Sequence, residues 1–410
     1  MKKKFTLKSI MKSVFITSAL ICVLLTSSSC GMLRFVQDSM RDTISSTKDE
    51  LSSFNTEDRY GFEELLSIIS KRYIGDADTD ELVLEAKRAI VEALDDEWSF
   101  YMSPEEFKQY MESSDNEYQG IGVEVLYNEE HGGIEVENIY PNSGAQLAGI
   151  MIGDIITAVD GESLRDLTFF EIRNVLRRPL GETATLTVLR SDGQYHELLV
   201  EYNVIFTDPV SYEMLEDNIG YVLIRNFEAE SAVRFVNAVS NLIAQGATRF
   251  IYDVRFNNGG RAVEVTRILD FLLPECDVFI AVDYNGNESI TRSDADFIDL
   301  PAVVLVNEHS YSGAEYFAAV LSEYDYAVTV GQQTTGKNRM QNTFPLSDGG
   351  ALHVSVGMYL TPNRVSLYDS GGYTPDHIVT LTEDEMNLYY RGELAHEDDP
   401  QMQKALELIG

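Results

Sequence analysis

Apolar residues recur with three different rhythms along the chain. From Arg59 to about Ser113 they fall at three- and four-residue intervals (Phe62, Leu65, Leu66, Ile69, then Leu82, Leu84, Ile90, Leu94), which predicts amphipathic helices. Ser103-Pro104-Glu105-Glu106 reads as a further helix start, a capping hydroxyl followed by proline at the first helical position. Between 117 and 204 the period drops to two: Ile121, Val123 and Val125, then Ile134 and Val136, Ala184, Leu186 and Val188, and Leu198 and Val200. Gly, Asn and Asp turns separate these alternations, so a compact β-rich module is predicted, interrupted by one helix over 169–177. From Tyr212 onward, apolar runs at 219–224, 250–254, 302–306 and 327–330 read as strands, with helical patterns at 232–244, 263–273 and 314–322 between them. Such alternation predicts a mostly parallel sheet flanked by helices. The fold class is therefore α/β, with a helical domain over 58–116, the β-rich module over 117–204 and the α/β core over 205–410.

The N-terminus has a different character. Lys2, Lys3, Lys4, Lys8 and Lys12 precede an apolar stretch from Val14 to Leu25, which is short of the ~20 residues a membrane helix needs. Small residues then lead to Cys30, so residues 1–29 read as a secretory signal peptide and 30–57, rich in Ser, Asp and Thr, as a tether. Cys30 after Ser27-Ser28-Ser29 resembles the lipobox of bacterial lipoproteins, although Ser27 stands where that motif has an apolar residue. The expectation is a lipid-anchored protein on the outer face of a bacterial membrane.

Charge narrows the partners. The 410 residues carry a formal net charge of −36, which becomes −41 once the signal and its five lysines are removed. An acidic surface of this kind repels nucleic acid and anionic membranes, so anchoring would fall to a lipid rather than to a basic patch. The three cysteines, Cys22, Cys30 and Cys276, form neither a disulfide framework nor a metal pair, and the six histidines lack metal-ligand spacing. No metal and no cofactor is expected. Asp76, Asp78 and Asp80 alternate like a calcium loop, but Glu81 stands where that loop needs glycine and no glutamate closes it, so a solvated acidic loop is the better reading.

Three strand-to-helix junctions could carry chemistry. Asp253-Val-Arg-Phe-Asn-Asn-Gly-Gly260 ends a strand on two glycines, either as a plain tight turn or as a cradle whose N–H groups face an anion. Asn307-Glu-His-Ser-Tyr-Ser-Gly-Ala-Glu315 opens a helix, where a serine serves as a cap or presents its hydroxyl to the helix dipole. His309 lies too near in sequence to face Ser312 and reads as structural. Gly331-Gln-Gln-Thr-Thr-Gly-Lys-Asn338 fits the phosphate-loop spacing, yet Asn338 replaces the magnesium-binding hydroxyl and Pro345 opposes the required helix. Ser45-Ser-Thr-Lys48 matches SxxK by chance within the tether.

In combination these segments resemble the carboxy-terminal processing proteases, also called tail-specific proteases. The shared order is Asp-x-Arg before the glycine pair, Asn-x-x-Ser-x-Ser-x-x-Glu, then Thr-x-Gly-Lys-x-x-x-Gln, with 25 residues from Ser312 to Lys337 and 4 from Lys337 to Gln341. The β-rich module resembles that family's PDZ domain, with Gly120-Ile121-Gly122-Val123 as carboxylate-binding loop and Pro141–Gly149, Gly153-Asp154 and Asp160-Gly161 as the rest of its signature. Leu94–Tyr101, Tyr373–Asp376 and Asp399–Leu406 resemble the family's terminal regions. Departures are Tyr311, Gly313, Ala314, Asn258 and Asn338, none of which removes a catalytic side chain. The resemblance implies a serine endopeptidase acting near protein C-termini, with Ser312 as nucleophile, Lys337 as general base and Gln341 orienting it. Gly313 and one of Gly259 or Gly260 would form the oxyanion hole. Substrates would be proteins or peptides with free C-termini, and the PDZ domain would deliver them or gate the site. Self-association is left open, and an inactive envelope PDZ adaptor is the alternative. A lysine base must be neutral, so burial has to lower its pKa by about 3 units from ~10.4.

Overall fold

The structure is a computed structural model that describes residues 56–410, apart from 129, 166, 168–170, 173–174 and 391. The signal, Cys30 and the tether up to residue 55 lie outside the described residues, as does part of the helix read over 169–177, while the tether's last two residues, 56 and 57, open a helix. The chain divides into two compact units, one ending at Ile90 and the other running from Val91 to Gly410.

The first unit contains helix α1 (Thr56–Arg72) and most of α2 (Thr79–Glu92). Asp78 Oδ1 accepts the N–H groups of Asp80 and Glu81, capping α2. The acidic loop is thus a helix start, and no cluster that could hold a metal occurs among the described residues.

Helical patterning alone places a domain end near 116, but the structure draws residues 91–116 into the second unit. Strand β1 (Phe100–Met102) pairs with a strand of the core, Phe100 opposite His353. A three-residue strand is too short to register as a period. Helix α3 (Pro104–Ser114) follows, opened by a reciprocal Ser103–Glu106 capping box with Pro104 in its first turn.

The β-rich module comprises β2 (Glu117–Gly120), β3 (Val123–Asn128), β4 (Gly133–Ile139), the short helix α4 (Gly144–Ala148), β5 (Ile155–Val159), β6 (Glu162–Ser163), β7 (Thr183–Leu189), β8 (Tyr195–Glu201) and β9 (Asn203–Phe206). Strands β3-β4-β5-β7-β8 form an antiparallel sheet in that order, so β3 is an edge with one open side. Ile134, Val136, Ile156, Leu186, Val188 and Val200 are buried in its core, as their alternation requires. Strands β2 and β9 pair as a two-stranded neck.

The core continues with β10 (Val210–Met214), β11 (Ile219–Ile224), α5 (Ser231–Gln245), β12 (Arg249–Asp253), α6 (Ala262–Leu272), β13 (Asp277–Asp283), β14 (Glu288–Arg292), β15 (Ala302–Val306), α7 (Gly313–Glu323), β16 (Ala327–Gly331), β17 (Arg339–Pro345), β18 (Ala351–Leu360), β19 (His377–Ile378), α8 (Glu383–Tyr390) and α9 (Pro400–Ile409). One sheet runs β10-β11-β12-β15-β16-β19 and is parallel from β11 onward. All five residues of β15 are buried, as expected for a parallel strand covered on both faces. On one face Met402, Ala405 and Ile409 of α9 pack on Ile219, Ile251, Val303 and Leu305. On the other, Tyr252 meets Phe235 of α5 and Phe317 of α7.

The sequence pattern does not foresee the second sheet. It is antiparallel, ordered β1-β18-β13-β14 with β17 also on β18. Tyr316 of α7 packs edge-on against Phe279 of β13 and Tyr359 of β18, which docks this sheet on the helix that follows Ser312.

Candidate active site

Ser312 stands between the end of β15 and α7. Its backbone has φ 56° and ψ −119°, a combination that side chains other than glycine seldom adopt, and its hydroxyl does not cap the helix. The turn is therefore a strained presentation of the side chain rather than a helix cap. Ser310, by contrast, is buried and structural: its Oγ donates to Val254 O at 2.8 Å and accepts the Asn307 N–H at 3.0 Å. His309 stacks on Phe256 at 5.0 Å, which stacks in turn on Tyr389 at 5.5 Å, in keeping with the structural role read for it.

The glycine pair lies against this turn. A Cβ on Gly259 would fall 2.7 Å from Gly313 N and 2.8 Å from Ser312 Cβ, so only glycine allows the approach. The two glycines are not equivalent. Gly259 donates its N–H to Asn257 Oδ1 at 2.8 Å. Gly260 forms a parallel bridge with Phe227, in which Phe227 N–H donates to Gly259 O and Arg261 N–H to Phe227 O. That pairing turns the Gly260 N–H away from Phe227, and among the described residues nothing accepts from it or from the Gly313 N–H. Two donors thus remain at the Ser312 turn, from Gly260 and Gly313.

Lys337 arrives on the segment that leaves β16 and enters β17, which is a strand and not the helix of a phosphate loop. Glu315, fully buried on the first turn of α7, fixes this segment: its carboxylate accepts Gly336 N–H and Lys337 N–H, each at 2.9 Å. Burial, the largest influence, pushes Glu315 up to about 7 against the lowering effect of these bonds. The Lys337 side chain sits with Nζ 4.2 Å from the Trp98 ring centroid. Burial lowers its pKa to about 8, against the opposing charges of Asp96, Glu315 and Glu97. Tyr359 joins both partners: its hydroxyl donates to the Lys337 carbonyl, and the Ser312 side chain hydrogen-bonds to its phenol. His353 offers no rival base, since burial and then the Lys337 charge push it down to about 4, with Nδ1 2.8 Å from Thr343 Oγ1.

Gln341 belongs to the same patch but faces elsewhere. Its amide nitrogen donates to Ser355 Oγ at 3.1 Å, and among the described residues no hydrogen bond joins it to the lysine amine. The sequence reading also passes over Trp98, Glu315 and Tyr359 as parts of the site. Glu315 left a trace there as the last letter of the Ser-x-x-Glu motif, and Trp98 as a member of the Leu94–Tyr101 segment, neither with a role.

A charged network underpins the glycine loop. Buried Arg255 pairs with Asp253 at 2.6 Å and with Asp399, the cap of α9, at 2.7 Å, and lies 4.1 Å over the Tyr389 ring.

In the β-rich module, Gly120-Ile121-Gly122-Val123 leads from β2 into the edge strand β3. Gly122 has φ 82°, and a Cβ there would fall 2.2 Å from that of Ser143. Ile121 O accepts from Ala145 and Gly122 O from Tyr140, which fixes the loop, while the Ile121 and Gly122 N–H groups find no acceptor among the described residues.

A strained serine, two unpaired N–H groups and a desolvated lysine on an α/β core are the groups that a serine-type peptidase needs. The family models agree: Peptidase family S41 matches residues 218–379 and the PDZ domain matches 135–190. The chain is 30% identical over 336 residues to the carboxyl-terminal-processing protease of Picosynechococcus sp. (strain ATCC 27264 / PCC 7002 / PR-6), covering 81% of this chain and 80% of that one. It is 29% identical over 322 residues to the protein of the same name from Synechocystis sp. (strain ATCC 27184 / PCC 6803 / Kazusa), covering 77% and 74%. The crystal structure of a candidate S41 protease from Bacteroides fragilis NCTC 9343 shares the fold, with a TM-score of 0.52 at 15% identity over 84% of this chain and 96% of that one. The chain belongs to peptidase family S41, among the carboxyl-terminal processing proteases.

Proposed function

We propose that this chain is an exported, membrane-anchored endopeptidase that captures protein C-termini in its PDZ groove and cleaves them with Ser312 and Lys337. The observation that supports the catalytic reading is the desolvated amine of Lys337, a residue whose backbone Glu315 and Tyr359 tie to the segment that carries Ser312. Lys337, when neutral, takes the Ser312 proton as Oγ attacks the scissile carbonyl. The Gly313 and Gly260 N–H groups hold the resulting oxyanion. Lys337 then passes the proton to the leaving amine, leaving an acyl-serine. A water that gives its proton to Lys337 attacks the ester, and the proton returns to Ser312 as the acid product departs.

The open edge of β3 suits strand addition by an extended peptide, and the free Ile121 and Gly122 N–H groups suit its terminal carboxylate. Export and anchoring rest on the basic and apolar N-terminus and on Cys30. Mass spectrometry of the mature N-terminus from membranes should find diacylglycerol on Cys30; an unmodified terminus overturns the anchor. For catalysis, the full chain is assayed on a peptide with an apolar tail, free or amidated at its C-terminus. Ser312→Ala and Lys337→Ala should each abolish cleavage without loss of fold, and amidation should raise KM tenfold or more. Cleavage by either variant at the wild-type rate overturns the catalytic pair.

A further inference from the structure

Lys337 Nζ lies 4.2 Å from the Trp98 ring centroid and 5.9 Å from that of Tyr311, and the two rings are themselves 5.9 Å apart. The amine therefore sits in the angle between two aromatic walls. Tyr311 belongs to the nucleophile turn, its N–H bound to Asn257 O at 3.1 Å. Trp98 comes from a separate segment, on a turn ahead of β1. That turn is fastened firmly: Asp95 has φ 54°, Asp96 accepts from the Trp98 N–H and the Ser99 hydroxyl, and buried Ser99 accepts the Ser355 N–H at 3.0 Å. Ser99 is buried and Trp98 only half-buried, so the turn is rooted in the sheet and lays its indole over the amine as a cover.

A ring over an amine acts in two opposed ways. Its π face attracts the ammonium, by about 0.5–2 kcal/mol. Its bulk also removes water, which favours the neutral amine. The charged groups facing Lys337 are Asp96 and Glu97 of the turn and Glu315 of α7, all favouring the ammonium, while His353 of β18, pushed down to about 4, is neutral where the lysine titrates. The amine is nonetheless held near 8, so exclusion of water outweighs the rest.

We propose that Trp98 is a positioning residue for the general base: its indole, beside Tyr311, shuts water away from Lys337 Nζ and keeps the amine at the Ser312 turn. This rests on the reading of Ser312 and Lys337 as the catalytic pair. The test follows the rate of Ser312 labelling by a fluorophosphonate against pH, using the full chain and its Trp98→Ala, Trp98→Phe and Lys337→Ala variants. The wild-type rate should rise through a limb near pH 8 that Lys337→Ala removes. In Trp98→Ala the limb should move up by at least about one pH unit, with labelling about 10-fold or more slower at pH 7 and the gap closing as pH approaches ~10.4. Trp98→Phe, which keeps an aromatic cover, should leave the limb in place. A Trp98→Ala protein that is slower at every pH with its limb unmoved overturns the proposal and leaves the pair standing. A wild-type profile indifferent to Lys337→Ala overturns the pair, and the proposal with it.

A second readout does not depend on how the alanine variant folds. Trp98 is the only tryptophan in the chain, so its emission reports its neighbour directly. In Ser312→Ala, emission should titrate with a midpoint near 8 and lose that transition in Ser312→Ala/Lys337→Met; emission that is flat across this range also overturns the proposal.

Discussion

The Glu315 carboxylate accepts the backbone N–H of Lys337 at 2.9 Å, so the helix that Ser312 opens also grips the residue that would activate it. Ser312 and Lys337 thus share one buried anchor. Glu315 titrates near 7, above its ordinary ~4.3. A carboxyl whose folded pKa is raised contributes stability that is present below the unfolded pKa and is lost as pH climbs to the folded one. Glu315→Gln removes this titration. Relative to the variant, the wild type should lose on the order of 2–3 kcal/mol between about pH 4.5 and pH 7.5, read from urea midpoints. The variant should also show a kcat at least about tenfold lower with little change in KM, because its amide can accept from only one of the two N–H groups.

Strain at Ser312 yields a prediction of opposite sign. Its φ of 56° with ψ of −119° costs about 1–3 kcal/mol in a residue with a Cβ. Ser312→Gly should be inactive yet more stable than Ser312→Ala, by roughly 1 kcal/mol after the extra unfolded-state entropy of glycine is counted. Paired thermal melts decide it, and equal melting temperatures would argue that the turn is relaxed.

Neither glycine of the pair should tolerate a side chain. Gly260→Ala puts a Cβ 2.4 Å from the Phe227 carbonyl carbon, and Gly259→Ala puts one 2.7 Å from Gly313 N. Both should lower kcat/KM by about 100-fold or more. Asn257→Ala, which frees the Gly259 N–H without moving the Gly260 donor into a clash, should cost less, on the order of tenfold.

Arg255 is fully buried between Asp253 and Asp399. Arg255→Met leaves two buried carboxylates without their partner and should destabilise the core by about 3–5 kcal/mol in urea unfolding. Tyr389, whose hydroxyl donates to Asp253 at 3.1 Å, should become more exposed to quenchers in the same variant.

The parallel sheet was legible because strands covered on both faces must be apolar throughout, as Ala302–Val306 is. The antiparallel sheet was not. Arg339–Pro345 is half-buried along most of its length, and such a strand shows no clean period of two. Ser312 and Lys337 were found through their spacing, a property of the chain. Trp98 lies in a segment, Leu94–Tyr101, that the resemblance covers, but its nearness to Lys337 spans a long separation in sequence that no local pattern encodes. The two glycines looked alike in sequence because what distinguishes them is the direction of one N–H, set by Asn257 and Phe227. Gln341 matched the expected interval, yet a register shift between Met340 and Gln341 accompanies the turning of its amide to Ser355.

Ser312 is built on the parallel sheet, whereas Lys337 is delivered to the edge of the antiparallel one, and Tyr316 and Tyr359 hold the two together. The spacing of Ser312 and Lys337 is thus set by the junction between two sheets, so a substitution of Phe279 in that aromatic seam reaches them through packing alone.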